Sequence, residues 1–116
     1  MAFHGSCHCG AVTFTVDAEL PREAISCNCS HCRRKGFLLG FFPADKFTLE
    51  SGADALREYK FNTHKIRHLF CSKCGTQAFA YGHNPDGSEV RAVNLRCVPE
   101  IDLDKLALHP YDGASA

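Results

Sequence analysis

The chain has 116 residues, 13 basic and 13 acidic side chains, and a 45% hydrophobic content. That length suits one domain, spanning residues 1–116, with a modest core, and the balanced charge argues against the basic excess of a nucleic-acid binder. The start, Met1-Ala-Phe-His-Gly-Ser-Cys7, lacks a charged region followed by an apolar run, and no stretch approaches the ~18 apolar residues of a membrane span; a cytoplasmic chain, in which thiols stay reduced, is expected.

Short strands dominate the pattern. Ala11–Val16 alternates and is rich in β-branched residues. Phe37–Phe42 is a continuous apolar run stopped by Pro43, which reads as a buried strand, and Phe47–Glu50 stops at Ser51-Gly52. Leu56–Phe61 and Ile66–Phe70 flank Asn62-Thr-His-Lys65, an expected hairpin turn. Thr76–Tyr81 and Glu89–Leu95 flank Asn84-Pro-Asp-Gly-Ser88, a strong turn signal. Helix is expected only at Pro43–Lys46 and Asp102–Leu106, about one turn each. The fold class is mainly β.

Seven of the eight cysteines fall into three clusters: Cys7-His-Cys9, Cys27-Asn-Cys-Ser-His-Cys32 and Cys71-Ser-Lys-Cys74. Such short spacings suit metal chelation better than disulfides, whose geometry they strain. Two zinc ions are therefore expected. Seven thiolates contribute −7 and two divalent ions +4, which takes the neutral chain to −3. A short internal repeat nominates the pairing. Cys7-x-Cys9-Gly10 and Cys71-x-x-Cys74-Gly75 each lead into a strand with a phenylalanine, Phe14 and Phe79, five places after the last cysteine. Glycine after a knuckle cysteine supplies positive φ without steric cost. Cys7, Cys9, Cys71 and Cys74 would fill a tetrahedral zinc shell, a structural site.

Cys27, Cys29 and Cys32 form a compact claw with one coordination position to spare, the usual form of a catalytic zinc site. A visiting thiol or aldehyde could take that position. A fourth protein ligand would instead close it; Cys97 is the first suspect, then His31, His64, His68 and His83. Cys97 reads better as a small core residue. His31 is a weak candidate for a general base. Arg33-Arg34-Lys35 could receive the carboxylates of an acidic thiol such as glutathione, or be a solvated turn. The remaining histidines read as surface or rim residues.

The order Gly5-Ser-Cys-His-Cys-Gly-Ala-Val-Thr-Phe14, Cys27-Asn-Cys-Ser-His-Cys-Arg33, Phe70-Cys-Ser-Lys-Cys-Gly-Thr-Gln77 resembles the glutathione-dependent formaldehyde-activating enzyme family, which includes centromere protein V. Val93–Leu103 and Tyr111-Asp-Gly113 are similar to it too. The resemblance implies a β-tent-like fold of antiparallel sheets. It also implies a structural zinc on Cys7, Cys9, Cys71 and Cys74, a catalytic zinc on Cys27, Cys29 and Cys32, and a carbon–sulfur lyase joining formaldehyde to glutathione. The residues alone leave open two other functions: a non-catalytic two-zinc interaction module, and a thiol-based zinc or redox sensor.

Overall fold

The computed structural model describes residues 1–60 and 66–115. Its strands are β1 (Phe3–Ser6), β2 (Thr13–Val16), β3 (Glu23–Cys27), β4 (Leu39–Pro43), β5 (Phe47–Ser51), β6 (Leu56–Tyr59), β7 (Arg67–Cys71), β8 (Phe79–His83), β9 (Glu89–Asn94) and β10 (Ala107–Tyr111), with one α-helix, α1 (Ser30–Lys35). A three-stranded sheet runs β1-β2-β5, and a seven-stranded sheet runs β10-β3-β4-β9-β8-β7-β6. The expected mainly β class holds. All pairs are antiparallel but one: β10 lies parallel to β3, placing Tyr111 opposite Cys27. The turn expected at Asn62–Lys65 lies outside the described residues; the two strands beside it, β6 and β7, do pair, with Tyr59 opposite His68.

The alternation read from Ala11–Val16 becomes β2, in which Phe14 and Val16 are buried and Thr13 and Thr15 half-buried. Phe14 lies across the chain from Gly5 of β1, and a Cβ on Gly5 would land on its ring. The small sheet meets the large one through aromatic edges. Phe14 and Phe47 approach Phe79 with ring centroids 5.6 and 4.9 Å apart in edge-on geometry, an arrangement that adds ~1 kcal/mol per pair to the area buried. Phe3 and Phe42 make a second contact between the sheets, at 5.4 Å. Val12, Val93 and Leu95 belong to the same core and are fully buried.

Three expectations need correction. Phe37–Phe42, expected as a buried strand stopped by Pro43, forms β4 over Leu39–Pro43, in which no residue is buried and Phe41 is 52% exposed. The one-turn helices at Pro43–Lys46 and Asp102–Leu106 are present as 3₁₀ turns over Ala44–Lys46 and Leu103–Lys105, but they are not the only helical segments. The claw itself folds into α1. Cys29 Sγ accepts the Cys32 amide at 3.3 Å and caps its start, and Gly36, at φ 70°, closes it. A thiolate in the place of the usual Ser, Thr, Asp or Asn cap hides the signal. Strands β1, β3 and β10 were also unforeseen. β10 is short, exposed throughout and carries Pro110, which its edge position tolerates.

Gly52, between β5 and the next turn, holds φ 95°, and a Cβ there would strike Ala11 O and lie 2.7 Å from Val12 Cα. Backbone cannot yield as a flexible side chain can. Gly52→Ala is expected to destabilise the protein by about 2–4 kcal/mol in denaturant unfolding, whereas Gly87→Ala, at φ 89° with open space around it, should cost about 1–2 kcal/mol.

Candidate metal centres and cavity

The loop after β1 and the end of β7 bring Cys7, Cys9, Cys71 and Cys74 together, with all four sulfurs within 4.8 Å of one another. Cys7 and Cys9 sulfurs are 3.6 Å apart, and Cys9 and Cys71 sulfurs 3.7 Å. A tetrahedron of sulfurs ~2.3 Å from a central zinc has edges of ~3.8 Å, so this donor set fits the ion. The repeat read from sequence is also a repeat in space. The amide of Cys7 donates to Val12 O and that of Cys71 to Thr76 O, each five residues on. Gly10 and Gly75 take φ 82° and 80° in the two turns. Amides of Val12 and Lys73 point at Cys7 Sγ and Cys71 Sγ, at 3.3 and 3.4 Å. Hydrogen bonds with Thr76 hold the Cys74 thiol down at about 5, which favours the thiolate that a metal needs.

The second group is Cys27 at the end of β3 with Cys29 and Cys32, again within 4.8 Å. The amide of Cys29 donates to Cys27 Sγ at 3.5 Å. Burial and the neighbouring sulfurs push the Cys32 thiol well above the usual thiol range. For Cys29 burial also opposes ionisation, but the Cys32 amide and the adjacent thiols outweigh it, and the thiol lies below its ordinary value. Three sulfurs this close cannot all ionise without a compensating cation; a thiophilic divalent metal meets that need. The donor chemistry therefore fits a metal ion here too.

No further His, Cys, Asp or Glu joins the claw's group among the described residues. Cys97, the first suspect for a closing ligand, sits half-buried against the core, and its electrostatic neighbours are Cys7 and Cys74. It stands beside the four-sulfur cradle rather than the claw, and burial pushes its thiol up to about 11. His31 lies on α1 with its ring beside Phe37, Tyr59 and His68, the last at 4.3 Å between centroids. His83 is exposed at the end of β8, and His64 lies outside the described residues.

The claw forms part of the wall of a cavity of about 530 Å³. Ile25, Leu39, Phe41, Ile66, Ala92 and Tyr111 are among the other residues that line it. Among its polar side chains are His68, expected only as a possible fourth ligand to the claw, and Gln77 and Asn94, which sequence reasoning passed over. Burial lowers the pKa of His68 to about 4, so its ring is neutral at physiological pH. Gln77 Nε2 lies 3.3 Å from His68 Nδ1, and Asn94 Nδ2 donates to Gln77 O at 3.0 Å. Arg33, Arg34 and Lys35 occupy the last turn of α1, are exposed, and do not line the cavity.

A strap from the C-terminal end closes over the claw. The amide of Asn28 donates to Tyr111 O at 3.1 Å, its side chain donates to Asp112 Oδ1 at 3.0 Å, and its Oδ1 accepts the Ala114 amide at 3.0 Å. Between these contacts Gly113 passes so near that a Cβ on it would lie 2.5 Å from Cys27 Sγ.

The two cysteine clusters on a mainly β frame define a class of protein built around thiolate sites able to hold metal. The chain belongs to the family described as glutathione-dependent formaldehyde-activating enzyme, whose model matches residues 2–110. A curated relative from Halomonas elongata, named provisionally as such an enzyme, is 30% identical over 90 residues, covering 70% of this chain. The chain spans 57% of that relative's length. A crystal structure of a Rhodobacter sphaeroides protein, a structural-genomics target, superposes with a TM-score of 0.75 at 29% identity, covering 91% of this chain and 99% of that one.

Gly113→Ala is expected to displace either Cys27 or the strap. Competition with a chromophoric chelator should then show the claw's metal affinity lowered about tenfold or more, with the four-cysteine cradle unchanged.

Proposed function

We propose that the protein is a zinc-dependent carbon–sulfur lyase that adds a thiol to a small aldehyde beside the claw. The observation that carries this reading is the unequal division of sulfur. Four donors close one site, while three donors of the second open onto a cavity. Cys7, Cys9, Cys71 and Cys74 would hold a structural ion, and Cys27, Cys29 and Cys32 the ion at which substrate is bound. A divalent ion at the claw supplies positive charge where a thiolate or a carbonyl oxygen carries negative charge.

The chain's own residues do the remainder. The amides of Cys29 and Cys32 fix two of the claw sulfurs, and the Asn28–Asp112 contact ties the claw to the strap. The apolar wall excludes water around the reacting atoms. In the reaction the S–H bond breaks, a bond forms from sulfur to the carbonyl carbon, the C=O π bond opens, and the proton ends on oxygen. His68, on the cavity wall and neutral, is better placed than His31 to receive and return that proton. Glutathione and formaldehyde, named by the family, are the first substrates to test; Arg33, Arg34 and Lys35 could meet glutathione only outside the cavity. No helix among the described residues is long and apolar enough to cross a membrane.

The test is exchange of formaldehyde with its thiol adduct, followed by NMR, using 2-mercaptoethanol and glutathione in turn. The two-zinc protein is expected to accelerate exchange with at least one thiol. Cys29→Ser should abolish the acceleration and one equivalent of tightly bound zinc while leaving the thermal midpoint near that of the parent. Cys71→Ser should instead lower the midpoint steeply, because a four-thiolate site contributes on the order of 10 kcal/mol to small folds. No acceleration with either thiol in a fully zinc-loaded protein would contradict the proposal.

A further inference from the structure

The character of the cavity wall bears on which thiol it receives. Its aliphatic and aromatic surface runs from the claw outward to Phe41, Ile66 and Tyr111, which are 52%, 48% and 53% exposed although they line it. No Asp, Glu, Lys or Arg lines the cavity among the described residues. The side-chain amides on it already have protein partners. Asn94 Nδ2 is committed to Gln77 O, Asn94 Oδ1 accepts the Arg96 amide at 3.2 Å, and the Gln77 amide meets the His68 ring. Of the described basic residues next to lining positions, Arg67 pairs with Glu58, Arg91 pairs with Glu89 and Arg33 is exposed on α1; the Arg96 guanidinium donates to Gly36 O at 2.7 Å. An occupant carrying two carboxylates and an ammonium group would have to shed water from them and would meet no counter-charge among the described residues of this wall. An occupant with a hydrocarbon body would gain from every apolar surface it covers. The volume, about 530 Å³, falls within the ~300–1,000 Å³ of small-molecule sites.

We infer that the cavity selects a thiol with an uncharged apolar body, an arylmethyl or medium-length alkyl thiol, whose sulfur lies at Cys27, Cys29 and Cys32 and whose hydrocarbon packs against Leu39, Phe41 and Ala92. This rests on the claw being the thiol site proposed above. It assigns specificity to the sheet surface of β4 and β9 rather than to the basic turn that ends α1.

Calorimetric titrations of the zinc-loaded protein with benzyl mercaptan, 2-mercaptoethanol and glutathione test it. Methyl shifts of Ala80 and Ala92 on adding benzyl alcohol, which has no thiol, give a readout independent of the claw. Benzyl mercaptan is expected to bind at least about tenfold tighter than either other thiol, and benzyl alcohol to shift both alanines. Phe41→Asp, at an exposed position, should weaken benzyl mercaptan binding about tenfold. If glutathione binds as tightly as benzyl mercaptan while 2-mercaptoethanol also binds, the apolar selection is wrong and the claw still takes thiols. If benzyl alcohol shifts both alanines and no thiol binds, the thiol role of the claw is wrong and this assignment falls with it. Self-association that Phe41→Asp abolishes, and that keeps benzyl alcohol from the alanines, would show a second copy to be the natural occupant and would overturn the inference.

Discussion

Four sulfurs drawn from two distant turns join the small sheet to the large one, and the rest of the molecule is arranged around that junction. Cys9 and Cys71 are 62 residues apart in sequence and their sulfurs 3.7 Å apart in space. Closing such a loop without a ligand would tax a chain of this size, whose net stability is expected to be ~5–15 kcal/mol. A metal bound by four thiolates contributes an amount of the same order. The amides that aim at Cys7 and Cys71 belong to residues of the two knuckles, so the same hydrogen bonds that shape the turns also stabilise negative sulfur.

The claw is built by a different logic. Its sulfurs are local in sequence, and one of them serves as the cap of α1. What reaches it from afar is the strap: β10 runs parallel to β3 and delivers Asp112 and Gly113 to Asn28 and Cys27. Tyr111 and Gly113 of the strap thereby share the cavity wall with the three claw cysteines. The contrast between a site with four sulfur donors and a three-sulfur site beside a cavity is the physical basis for proposing a bracing role for the first and a chemical one for the second.

Much of this could be read in the sequence because chelation by a knuckle is a local matter. Cysteine spacing and the glycine that follows are enough to suggest Cys7-x-Cys9-Gly10 and Cys71-x-x-Cys74-Gly75 as partners, and the structure gathers those four sulfurs. Strands with clean alternation, such as β2, were equally legible. What could not be read depends on long-range contacts or on unusual caps. No local pattern shows that Asn28 holds Ala114, 86 residues away, or that Gly113 must lack a side chain because Cys27 lies beneath it. His31 attracted notice by its place inside the claw, yet it is His68, from β7, that lines the cavity. The helix α1 was hidden because a cysteine plays the part usually given to serine or aspartate.

X-ray absorption at the zinc edge of the two-zinc protein tests the unequal division of ligands most directly. With four sulfurs on one ion and three on the other, the account predicts about 3.5 sulfurs per zinc together with a light-atom scatterer, and the light atom should be displaced by sulfur when a binding thiol is added. Four sulfurs per zinc without added thiol, or a light-atom shell unchanged by any thiol, would contradict it.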